Sequence, residues 1–175
     1  MRREAAAVVL VELVNLDDIR RAWGDAMAEQ AVLRAVIKLH RFVRESEPAG
    51  RLGAGRFGLV FEGVHSRGDL QERMVRLVAS GLVPTRGATL DVPLRFHVAA
   101  VLLGERLRTH ELILRDLDRL LAGMSPRTRR PIRFLEADSG AAPPSTVLPG
   151  GDADETGART GPSTGSSAPP PSSGG

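Results

Sequence analysis

Arg51-Leu52-Gly53-Ala54-Gly55-Arg56-Phe57-Gly58-Leu59-Val60-Phe61, RLGAGRFGLVF, is the stretch on which the reading of this chain turns. Three glycines crowd a turn just ahead of an apolar run. Without a Cβ, such a backbone can approach a phosphate closely. Phe57 to Val64 reads as strand, so the turn belongs to a hairpin, and a hairpin needs a sheet to join. Upstream, the continuous apolar run from Ala5 to Val14 reads as a buried strand. A helix from about Asp25 carries Val32, Val36, Leu39 and Val43 on one face. Downstream, Leu70, Met74, Leu77 and Val78 form a second helical stripe, and Ile113, Leu117, Leu120 and Leu121 a third. Val92, Leu94, Phe96 and Val98 alternate with Pro93, Arg95 and His97, which predicts a strand with His97 turned away from the core. Pro131 to Leu135 supplies a last strand. The order predicts an α/β (α+β) sandwich with a central, mostly antiparallel sheet flanked by helices.

Composition bounds the rest. At 42% hydrophobic over 175 residues the chain can build one core. It has no run near the ~18 apolar residues of a membrane span, so no membrane insertion is expected. The start, MRREAAAVVLVELVNLDD, is interrupted by Glu12 and reads as a first core strand rather than a signal peptide. Cysteine is absent, which removes disulfides and thiolate metal sites and fits a cytoplasmic location. From Ala137 onward Gly, Ser, Thr, Pro and Ala dominate. Such a segment buries too little to offset its ordering entropy. The expected organisation is a domain over 1–136 and a disordered tail over 137–175. The tail holds four acids and one base, so 1–136 carries net +6 against +3 for the whole chain. That excess reads as a solvated basic face. Aromatics, at 3%, are too few to interleave as stacking platforms, so nucleic acid is not the expected partner.

The hairpin also matches the protein-kinase pattern G-x-G-x-x-G-x-V. A kinase needs in addition a lysine on the next strand, an H-R-D loop and a D-F-G site. The single lysine, Lys38, lies upstream, and neither motif occurs. A dinucleotide-binding loop must open a helix, which this one does not. About Ala5 to Glu136 instead resembles the GGDEF family of diguanylate cyclases, whose R-x-G-G-D-E-F hairpin falls on Arg51 to Phe57. The family's D-x-D-x-F-K-x-I-N-D-x-x-G-H-x-x-G-D falls on Glu12 to Glu29. Spacing, apolar positions and Gly24 agree, while most polar functional positions differ. Arg115-Asp116 to Arg127 lies where the family has A-D-x-A-L-Y-x-A-K-x-x-G-R-N. The resemblance implies a nucleotide-cyclase-like sandwich.

The same resemblance implies what has been lost. Cyclases of this family join two GTP molecules using divalent metals held on carboxylates. Glu12 matches the first acid and is a vestigial magnesium ligand. The hairpin, Gly53, Ala54, Gly55, Arg56 and Phe57, has Gly55 and Arg56 where both carboxylates belong, so no resident cofactor and no cyclase activity are expected. A cation in place of an anion at ~4 Å reverses an interaction of order 4 kcal/mol per charge pair. Glu29 falls on a base-contacting acid, Arg20 on the base-contacting asparagine, Gly123 on the phosphate lysine and Arg127 on the retained arginine. Glu29, Arg56 and Arg127 are therefore candidate nucleotide contacts. The family's R-x-x-D product-inhibition site falls on Arg44-Glu45-Ser46-Glu47, which makes Arg44 and Glu47 a candidate cyclic di-GMP site at a helix end. His40, His65, His97 and His110 show no metal-ligand spacing and read as surface residues. The expectation is an inactive regulatory or protein-interaction module, with a protein partner or a homodimer. A receptor for cyclic di-GMP or GTP is the alternative, and residual cyclase activity a third.

Overall fold

The segment AAVVLVEL forms β1 (Ala6–Leu13), and its missing polar alternation has a direct cause. β1 is the middle of a five-stranded sheet of order β2-β3-β1-β4-β5, so both of its faces are covered. Its neighbours are β2 (Ala49–Arg51), β3 (Arg56–Glu62), β4 (Phe96–Leu103) and β5 (Ile132–Phe134). β1 pairs antiparallel with β3 and β4, and β2 pairs antiparallel with β3. The β4–β5 pairing is parallel. The computed structural model describes residues 5–85, 87, 92–103 and 109–136. All lie in the first of two units into which the chain divides, Met1–Gly140 and Ala141–Gly175. The tail expected to be disordered, 137–175, lies outside the described residues.

Alternation along the strands sorts side chains into two cores. Val9, Val11, Leu59, Phe61 and Phe96 face α1 (Leu16–Trp23), α2 (Asp25–His40) and α3 (Arg67–Leu82). Leu10, Ala99 and Val101 face the opposite way, onto Ile113, Leu117 and Leu121 of α4 (His110–Ala122). The result is the predicted sandwich, helices on both faces of a mostly antiparallel sheet. Each large side chain fully withdrawn from water contributes about 1.5–3 kcal/mol.

Local chemistry fixes where the helices sit. Gly24, at φ +84°, breaks α1 from α2 in a backbone conformation that side chains resist. Ser66 caps α3 by accepting from the Asp69 N–H at 3.0 Å. At the other end of α3, Lys38 Nζ donates to the carbonyls of Ser80 (2.8 Å) and Val83 (2.7 Å). A cation there complements the helix dipole and meets carbonyls the helix leaves open. Gly81 lets α3 approach β4 so closely that a Cβ would stand 2.3 Å from the Leu94 carbonyl oxygen.

Two expected elements are corrected. The buried stripe of α2 is Ala28, Ala31, Val32, Ala35 and Leu39. Val36 is 41% exposed, and the helix ends at His40, short of Val43. Val32 and Leu39 lie on the inner face as expected, and alanine fills the rest of it, so little other apolar bulk marks that face. β4 begins at Phe96, not Val92.

Candidate functional site

Register brings the site together. In the β1–β3 pairing Glu12 lies opposite Arg56, and in the β1–β4 pairing it lies opposite His97. Arg56, Glu12 and His97 thus form a row across three strands, on the sheet face that α4 covers. Arg56 Nη2 donates to Glu12 Oε1 at 3.0 Å, and Nη1 donates to Asp118 Oδ1 of α4 at 2.8 Å. The row borders a cavity of about 470 Å³, lined also by Asp17, hairpin residues 52–56 and Met124.

The hairpin is braced from within. Arg51 donates from Nε to the Gly53 carbonyl at 2.8 Å and from Nη2 to the Ala54 carbonyl at 3.0 Å. The Gly55 carbonyl accepts from the Leu13 N–H at 2.7 Å. A Cβ at Gly55 would meet Leu16 Cδ2 at 3.1 Å and the Leu13 carbonyl oxygen at 3.4 Å, so an aspartate there would crowd the start of α1.

These residues do not fit a two-metal centre. Glu12 and Asp118 are carboxylates, but the guanidinium that each accepts from fills the position between them with a fixed positive charge. Among the described residues no group of three or more His, Asp or Glu is arranged to hold a metal ion. Nor does the cavity favour a bare triphosphate, because Glu12 and Asp17 outnumber Arg56 in its lining.

His97 corrects an expectation. It is 3% exposed, because the second face of β4 is itself a core under α4 rather than a solvent face. Its Nδ1 has no hydrogen-bond partner among the described residues. Burial pushes its pKa below the ordinary 6.5; the Glu12 charge opposes this and Arg95 adds to it.

The Arg44–Glu47 pair is placed differently from the expected ligand site. Both residues lie in the turn beyond α2. The Glu47 side chain is wholly buried. One oxygen accepts from the Arg44 N–H at 2.7 Å and from Arg73 at 3.2 Å, the other from the Glu62 N–H at 3.0 Å. Its lone pairs are committed inside the protein, so a guanine edge finds no open carboxylate there. The Arg44 guanidinium lies beside Gly63, 3.8 Å from where a Cβ would stand.

Glu29 is exposed on α2, and Arg127 is exposed one residue past Pro126 at the cavity. Neither lines the cavity. Asp118 and His97 are the site residues that the sequence pattern does not single out. The resemblance to the family's first strand singles out Glu12, whereas Asp118 falls where the family pattern has alanine and enters the site through the packing of α4.

The profile of the family described as diguanylate cyclase, GGDEF domain, matches residues 1–129. Solved structures share the fold. The GGDEF domain of YfiN (TpbB) from Pseudomonas aeruginosa is 22% identical, with TM-score 0.69, over 78% of this chain and 86% of that one. The active GGEEF domain of a diguanylate cyclase from Vibrio cholerae is 14% identical, with TM-score 0.65, over the same shares, 78% and 86%. The GGDEF domain of DgcB from Caulobacter crescentus, solved in complex with c-di-GMP, is 14% identical, with TM-score 0.58, over 75% and 78%. Comparison with curated proteins finds no match.

Proposed function

The chain belongs to the GGDEF domain family, and on that premise we propose that it is a catalytically inactive regulatory or protein-interaction module of bacterial signalling. The observation that carries this reading is Arg56. Its guanidinium holds Glu12 at 3.0 Å and Asp118 at 2.8 Å, where cyclase chemistry needs carboxylates free to ligate metal. Gly55 supplies no second acid, and the cavity it borders accommodates a Cβ only if Leu16 yields. A cytoplasmic setting suits the absence of cysteine.

The test is turnover by the purified full chain with GTP and magnesium or manganese. No cyclic di-GMP above a protein-free blank is expected. Metal-dependent product that disappears in Glu12→Ala would overturn the proposal.

A ligand-receptor reading draws on the DgcB structure with c-di-GMP, yet the Glu47 carboxylate here is committed to Arg44, Glu62 and Arg73, which speaks against a ligand at that position. Titration calorimetry with cyclic di-GMP and GTP is expected to show no heat. Binding of cyclic di-GMP that is lost in Arg44→Ala would favour the receptor.

A further inference from the structure

The inner face of α2 is fully used. Ala28, Ala31, Val32, Ala35 and Leu39 enter the core, while Arg34 and Lys38 reach the end of α3 and the segment beyond it. Its outer face nevertheless carries Leu33, Val36 and Ile37, exposed at 57%, 41% and 54%. Helical spacing puts them on one stripe. The apolar surface runs on into a cleft of about 190 Å³ between α2 and the edge strand β2, lined by Val36, Leu39, Phe57 and Leu59. A contiguous apolar patch rimmed by polar residues marks an interaction surface.

The charges at its two ends say what covers it. Glu29 lies toward the N-terminal end of the stripe, His40 and Arg41 at the C-terminal end, and all three are exposed. None has an ion pair or side-chain hydrogen bond among the described residues. Such an arrangement is self-complementary under a two-fold axis, which sets residue i against j and j against i. An antiparallel pairing centred level with Ala35 brings Leu33 of one copy against Ile37 of the other. The same register sets Glu29 beside His40 and Arg41 at both ends, and Val36 near the axis.

We propose that the outer stripe of α2 is a self-association surface on which two copies of this chain pack α2 against α2, antiparallel. This deepens the reading of the chain as an interaction module by naming the surface and the partner. It does not depend on whether the hairpin is catalytically silent.

Sedimentation velocity of the full chain across a concentration series tests it. The wild type is expected to pass from monomer to dimer. Leu33→Glu or Ile37→Glu is expected to weaken association at least about 30-fold, the loss a central interface residue carries, with an unchanged circular dichroism spectrum because both side chains face outward. Glu29→Arg is expected to weaken the dimer, and Glu29→Arg with Arg41→Glu to restore it. A wild type that stays monomeric at its highest soluble concentration overturns the proposal. So does a dimer indifferent to Leu33→Glu and Ile37→Glu, or a charge exchange that fails to rescue. A monomeric wild type would leave the inactive-domain reading standing, since that is decided by turnover.

Discussion

Arg56 stands as a tethered counter-ion where two carboxylates converge. Each of its ion pairs is partly exposed, and such pairs contribute about 0.2–1 kcal/mol. Arg56→Ala removes both and leaves Glu12 and Asp118 without the cation between them. A loss of about 1 kcal/mol in urea unfolding is therefore expected. Arg56→Lys should recover only part of it, because a point ammonium cannot reproduce the two-armed contact. His97 gives a pH signature. In the unfolded chain it titrates near 6.5, and in the fold it takes its proton at lower pH. Between those two values the unfolded chain binds more protons. The stability this group contributes is thus complete above 6.5 and declines as pH falls toward the folded value. His97→Gln should flatten that part of a plot of unfolding midpoint against pH. Glu12 and Arg56 are legible in sequence because they lie at fixed spacing within recognisable segments. His97 is not, since a polar residue in an alternating strand looks solvent-facing until a helix is known to cover that side.

At the scale of elements, α3 packs closely on the start of β4 at Gly81. Alanine normally stabilises a helix over glycine by about 1 kcal/mol. At Gly81 the sign reverses, because the new Cβ would stand 2.3 Å from the Leu94 carbonyl oxygen and 2.8 Å from the Phe96 ring. Backbone oxygen cannot swing away as a flexible side chain can. Gly81→Ala is expected to cost about 3 kcal/mol or more, visible as a large drop in thermal midpoint. The glycine is plain in the sequence, but its reason is not, since it depends on Leu94, thirteen positions later and just ahead of β4. The stripes of α3 and α4 were legible because leucine and methionine mark them. That of α2 is legible only at Val32 and Leu39, because alanine fills the rest of it.

At the scale of the molecule, Glu47 ties the turn after α2 to β3 and α3 through Arg44, Glu62 and Arg73. Arg73 also lies over the Phe61 ring, 4.0 Å from its centroid. Glu47→Ala strands a largely buried guanidinium and two N–H groups, and is expected to cost about 3–5 kcal/mol in chemical denaturation. The sandwich as a whole follows from sequence periodicity, because its strands and helices alternate in period where they alternate in space. Glu47 escaped the same reading because a carboxylate in a polar turn carries no sign that a distant arginine closes over it. Lys38 joins α2 to the end of α3, and it is the chain's single lysine, 7% exposed. The side-chain chemistry of primary amines in this protein is therefore locked behind a conformational opening. In the native protein an amine-acylating ester should label Lys38 far more slowly than in denaturant, as mass spectrometry of the peptide would show. The rate of that labelling would report how often α2 and α3 part.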